Sequence, residues 1–252
     1  MANLVPVRTP KHHASQVKDL HNIPLKPYQF TPSNYPGRRP RFSFFFTAKG
    51  IYRLKSRSLD VVLKQRGLPL SGERYAILAY GSNACPGQLL DKHLDDIPVL
   101  FGRLVGAEAV YANRQTQKGY VPATLARKRG SRSSWVTLLT ADQLEIMDGS
   151  EGRHYHTYVL AELPNVQFFI GQRQITPLYS YVDMRGGVMT RNGKPAGLRS
   201  MGQKRAKALV RAEECNAAKW LNFQTIPDPN PPAQFSKILN PMPRRRTRSA
   251  AK

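Results

Sequence analysis

The chain has 252 residues, 40% of them hydrophobic, which is enough for a real core and excludes a wholly disordered polymer. Its 39 Lys and Arg against 16 Asp and Glu give a formal net charge of +23, so nucleic acid, other polyanions or acidic membrane surfaces attract it; a solvated basic surface with basic ends explains the same imbalance. The two cysteines, Cys85 and Cys215, lie far apart and without ligand spacing, which excludes a disulfide framework and argues for a reducing compartment, the cytoplasm or alternatively an organellar matrix.

Residues 1–72 read as a basic N-terminal extension. Up to about Arg41, Pro, Asn, His, Lys and Arg dominate without a sustained apolar period, the pattern of an extended or disordered arm. Phe42-Ser43-Phe44-Phe45-Phe46 interrupts it. These aromatics are either a strand docked on the main domain or stacking platforms for bases, flanked by Arg38, Arg39, Arg41 and Lys49; the area an aromatic ring buries favours docking. Leu59, Val62 and Leu63 stand near helical spacing and predict a short helix before Gly67, with a cationic outer face.

The domain proper, residues 73–222, opens with a strand from Tyr75 to Ala79. Pro86 then starts a helix whose Leu89, Leu90, Leu94 and Ile97 form one buried stripe. Val99 to Tyr111 and Tyr120 to Ala126 read as strands, with Gly102, Gly106 and Gly119 at bends. Arg127-Lys-Arg-Gly-Ser-Arg132 reads as a basic turn before a further strand, Trp135 to Leu139. Thr140 and Gln143 make a capping box for a helix from Ala141 to Met147. Three more strands, Tyr155 to Leu163, Phe168 to Ile170 and Ile175 to Met184, precede a terminal helix from Lys204 to Leu221. Residues 223–252 form a Pro/Arg-rich tail, disordered by composition. No run approaches the ~20 apolar residues that a membrane-spanning helix needs. Strands outnumber helices and do not alternate with them, so the class is α+β.

The most informative stretch is Tyr80-Gly81-Ser82-Asn83, where an apolar strand stops and a helix follows. A strand broken at glycine turns backbone amides outward, and the helix start behind it adds unpaired donors, so a carboxylate or phosphate is expected there. Ser82 is not a nucleophile, because Gly-x-Ser-x-Gly and a placed acid/His pair are both missing; it reads as a turn residue. Cys85 is either a thiol activated by the helix start or an inert small residue. His154 and His156 share one strand face without a third ligand, so no metal site is expected. Tyr179 and Tyr181 also share a face and could close a pocket or pack in a core. Glu151, taken alone, is an exposed acid in a turn.

Tyr80-Gly81-Ser82-Asn83, together with Leu144-Glu-Ile-Met-Asp148-Gly-Ser-Glu151-Gly152 and Tyr155, resembles the signature of the gamma-glutamylcyclotransferase-like superfamily. Weaker echoes lie in Tyr179-Ser-Tyr181-Val182 and in Gly193 to Leu198. The resemblance implies a small distorted mixed β-barrel flanked by helices, and an enzyme that releases 5-oxoproline and an amine from a gamma-glutamyl amine or peptide without a cofactor. Glu151 would be its general acid/base, and Tyr80, Gly81, Ser82, Asn83, Tyr155 and Tyr181 would line the substrate site. Two departures stand out: Ala84 follows the loop where family members carry a bulkier residue, and no glycine stands near Ser134-Trp135-Val136. The alternative is a catalytically weak or inactive family-like domain serving as a structural or RNA-associated protein through its basic arms.

Overall fold

Two long antiparallel strands frame the molecule, β4 (Ile97–Tyr111) and β5 (Ala123–Leu139). They belong to a computed structural model that describes residues 25–31, 35–54, 59–151, 158–183, 187 and 195–210. β5 runs straight through Arg127 to Arg132, where the sequence predicts a turn, and joins two predicted strands into one. The reason is visible in its burial: both ends are buried and the basic middle is exposed, so the charged residues stand in solvent while the strand stays paired with β4. The register jumps between Val105, opposite Ser131, and Gly106, opposite Lys128. Gly106 and Gly130 take positive φ at this bulge (92° and 83°), a conformation that glycine adopts without Cβ strain.

Seven further strands complete one mixed sheet: β1 (Phe44–Thr47), β2 (Gly50–Arg53), β3 (Tyr75–Leu78), β6 (Tyr158–Glu162), β7 (Gln167–Ile170), β8 (Arg173–Ile175) and β9 (Tyr179–Asp183). The order is β2-β1-β4-β5-β3-β9-β6, with β7 also on β4 and β8 on β7. Only β3 and β9 run parallel among the described ladders. The α+β class is therefore observed, whereas the expected barrel is not: among the described residues the ladders form an open path. Single bridges, Val110 to Gly197 and Ala112 to Gly187, tie later chain to the end of β4. The predicted strand from Ile175 to Met184 is split into β8 and β9 around Pro177, which has no N–H to give a ladder.

Four helices are described: α1 (Leu59–Gln65), α2 (Pro86–Asp91), α3 (Ala141–Ser150) and α4 (Gln203–Val210). α2 is shorter than its apolar spacing predicts. The chain turns at His93, with φ 56°, so Leu94 is buried beyond the helix and Ile97 begins β4. α3 starts at the predicted capping box, where Thr140 Oγ1 accepts from the Gln143 amide at 3.3 Å and Gln143 Oε1 from the Thr140 amide at 2.9 Å. It runs past Met147 to Ser150 and so delivers Glu151 as its C-cap.

The aromatic run docks. Phe44 and Phe46 enter a core with Tyr75, Ile77 and Tyr179, while Phe45 faces Val62 and Leu63 of α1, as alternation along a strand requires. β1 pairs with the start of β4, so residues 42–54, on the N-terminal side of position 73, share the sheet and core of the domain. Of the predicted arm to Arg41, residues 1–24 and 32–34 lie outside the described residues, as do residues 211–221 of the predicted terminal helix, the predicted tail 223–252, and His154, Tyr155 and His156. Among the described residues no helix is long and apolar enough to cross a membrane.

Candidate active site

β3 is apolar on both faces, and the chain leaves it at Tyr80 into a 3-10 turn, Ser82–Ala84, which Pro86 converts into α2. Across from it stands the end of α3. Tyr80, Gly81, Ser82, Asn83, Glu151 and Tyr181 all line one open notch, whose remaining wall includes Tyr35, Ala123 and Tyr158. Six of the seven residues expected at the site are thus brought together; the seventh, Tyr155, lies outside the described residues. The notch has a volume of only about 30 Å³, room for one or two waters or for the small end of a larger molecule.

Glu151 is not the exposed turn acid that its local sequence suggests. Its Oε1 lies 2.6 Å from Lys92 Nζ, and the same ammonium donates to Asn83 Oδ1 at 2.8 Å. The side chains of Lys92 and Glu151 are 8% and 14% exposed, so this is a mostly buried pair with one edge open to water. Lys92 thereby ties the acid to the loop. The Gly81, Ser82 and Asn83 amides stand at the start of the 3-10 turn, where backbone donors lack partners within the turn.

The loop is held from behind by Arg39, whose Nη1 donates to the carbonyls of Tyr80 at 3.0 Å and Gly81 at 2.9 Å. Its guanidinium also lies 4.4 Å from the centroid of the Trp135 ring, a cation–π geometry. Burial pulls the Arg39 pKa down to about 10.

Three tyrosines give the notch its dry wall. Tyr80 donates its hydroxyl to the carbonyl of Tyr181 at 2.5 Å, and Tyr158 donates to that of Ala123 at 2.7 Å. Tyr35 accepts from the Ala123 amide at 2.7 Å. Burial pushes all three phenols above their ordinary range, and the Glu151 carboxylate adds to the effect. Tyr181 turns its hydroxyl to Asp148 Oδ1 at 2.5 Å, bracing α3 three positions before Glu151. Behind this wall Arg114 pairs with the fully buried Asp183 and lies 5.1 Å over the Tyr158 ring.

Cys85 is buried. Burial pushes its thiol up, and Sγ donates to the carbonyl of Phe30 at 3.1 Å, the environment of a packed small residue more than of an activated thiol. Among the described residues no group of three or more His, Cys, Asp or Glu side chains could hold a metal ion.

Lys92, Tyr35, Arg39 and Tyr158 were not legible as site residues. Lys92 meets Glu151 across 59 positions and Arg39 meets Tyr80 across 41, and no local spacing encodes either pairing. The one available signal was the Pro86 start, since a one-and-a-half-turn helix folds position 92 back toward position 83.

Comparison with known proteins gives no matching family model and no matching curated protein. Among solved structures the chain is similar to a gamma-glutamyl cyclotransferase, at 20% identity over 57% of this chain and 90% of that one, TM-score 0.37. It is also similar to the uncharacterized human protein loc79017, at 24% identity over 44% of this chain and 67% of that one, TM-score 0.35. A third likeness is to YkqA from Bacillus subtilis, at 14% identity over 69% of this chain and 62% of that one, TM-score 0.37. These likenesses are all at 24% identity or less and TM-scores of 0.37 or less, so the chemistry of this chain has to be read from its own notch.

Proposed function

We propose that the protein is a gamma-glutamylcyclotransferase-like enzyme that releases 5-oxoproline and an amine from a gamma-glutamyl amine or peptide. The observation that carries this reading is the sharing of one notch by Glu151 and the Tyr80–Asn83 loop, with Lys92 hydrogen-bonded to both. Loop amides suit the substrate's carboxylate or the oxyanion that develops on its γ-carbonyl. Glu151 takes a proton from the substrate's α-ammonium. The amine nitrogen then bonds to the γ-carbonyl carbon and releases a second proton to water as the lactam forms, the original amide C–N bond breaks, and Glu151 returns its proton to the departing nitrogen. The five-membered ring closes within one molecule, so the protein has to supply a folded pose more than a second reactant.

The test is incubation of the full chain with a panel of gamma-glutamyl compounds and detection of 5-oxoproline by mass spectrometry. Release is expected from the wild type, and Glu151→Gln is expected to lower it by ~10²–10⁴-fold with an unchanged circular dichroism spectrum. Unaltered turnover in that variant would remove Glu151 from the mechanism. Absence of 5-oxoproline with every compound would overturn the cyclotransferase reading.

A further inference from the structure

Beside the notch lies a larger cavity of about 250 Å³, whose arginines take no part in the proton transfers of the cyclotransferase step. Its charged lining is three guanidiniums, Arg39, Arg132 and Arg199, against one carboxylate, Glu108. That carboxylate is already shared: Arg132 Nε lies 3.6 Å and Lys128 Nζ 3.5 Å from its two oxygens. Among the described residues Arg199 donates to a carbonyl, that of Ser133 at 2.6 Å, and pairs with no carboxylate. Arg39 has no carboxylate partner among the described residues, and the positive charge of Arg199 adds to the burial that lowers its pKa. Like charges held around a cavity with too few counter-charges form a site that an anion relieves. Trp135, Leu104 and Leu198 supply apolar walls.

Two features place this cavity next to the notch. Tyr80 lines both, and Arg39, on the cavity side, holds the Tyr80 and Gly81 carbonyls of the loop. The notch, at about 30 Å³, is too small to enclose both halves of a gamma-glutamyl compound, so the amine-bearing half has to lie outside it.

We propose that the Arg39–Arg132–Arg199 cavity binds the carboxylate of a small molecule, and that this carboxylate is carried by the amine-bearing half of the substrate seated at the notch. The assignment of the carboxylate to the substrate rests on the cyclotransferase reading. The protein would then prefer gamma-glutamyl amino acids or peptides over gamma-glutamyl derivatives of neutral amines.

The experiment compares γ-glutamylglycine with γ-glutamylglycinamide, which differ by that one charge, on the full-length protein. Both steady-state KM and calorimetric Kd are measured. The carboxylate compound should bind ~10-fold tighter, the size of one partly solvated charge-assisted pair, and the gap should close in Arg132→Gln and Arg199→Gln but persist in part in Arg199→Lys. Equal affinities for the two compounds, or a gap unchanged in the glutamine variants, would overturn the proposal. If neither compound yields 5-oxoproline but the calorimetric gap and its loss in the variants remain, the cavity assignment stands and the cyclotransferase reading falls. Inorganic phosphate is the control for a free anion: phosphate binding lost in the glutamine variants, without any advantage of the glycine carboxylate, would overturn the assignment to the substrate.

Discussion

Removing the charge pair between Lys92 and Glu151 gives the sharpest test of the site's architecture. At 2.6 Å two unit charges attract by about 6 kcal/mol at an effective dielectric of about 20. Taking both ions mostly out of water cancels much of that, and the exposed edge of the pair lets solvent replace part of the rest. A net coupling of about 1–3 kcal/mol remains, the range for hydrogen bonds between charged groups. Lys92→Met, Glu151→Gln and the double variant form a cycle that isolates it, with urea unfolding as the readout. Each single variant should lose about 1–3 kcal/mol, a fall in Tm of ~2–10 °C at this chain length. The double variant should lose little more than the worse single one. Methionine suits position 92 because the Lys92 ammonium already lies 3.2 Å from the Met147 sulfur. Losses that add within about 0.5 kcal/mol would mean that the two groups do not interact in solution and would refute the description of the site as a loop joined to its acid.

Other consequences follow from groups behind the notch. Asp183→Asn leaves the Arg114 guanidinium, whose side chain is 11% exposed, without its countercharge; a loss of ~3–5 kcal/mol is expected in urea unfolding, and a loss under about 1 kcal/mol would show that water compensates. Gly102→Ala places a Cβ 2.2 Å from the Phe169 carbonyl oxygen, where β7 crosses β4, and should lower stability by ~1–3 kcal/mol or more by forcing that backbone apart; an unchanged Tm would contradict the packing. The phenols of Tyr35, Tyr80 and Tyr158 are raised by burial, so folded-state pKa values exceed unfolded ones. The stability they contribute is complete below pH ~10, the ordinary tyrosine value, and is lost as pH rises above it. Phenolate absorbance should therefore show these three ionising only as the protein unfolds, and ordinary titration of all eleven tyrosines in the folded protein would contradict it.

What the sequence made legible was local. The capping box at Thr140 and Gln143, the strand before Gly81 and the pairing of loop with Glu151 each follow from short-range chemistry or from two motifs read together, and each is found in the structure. The continuity of β5 was hidden because six consecutive positions around Gly130 carry four basic residues and two small polar or flexible ones, the composition of a turn, on a ribbon whose stability comes from β4 opposite. Barrel closure was inferred from resemblance and not from any residue, and the described ladders run open. Lys92 and Arg39 stayed invisible for a different reason. Each meets a backbone or carboxylate far along the chain, and charge alone does not say which of 39 basic residues will be drawn inward.

The support given to the loop by Tyr35 and Arg39 also has a bearing on the order of assembly. The Tyr35 hydroxyl waits for an amide 88 positions later, and the Pro40 carbonyl waits for the Trp135 indole 95 positions later. During synthesis this stretch emerges well before its partners and acquires them late, after both long strands exist, so closure entropy is spent before any of these contacts is made. A nascent chain halted short of position 135 would carry the Tyr80–Asn83 segment with no scaffold behind it, and the notch would close up only once Glu151, Tyr158 and Tyr181 had followed.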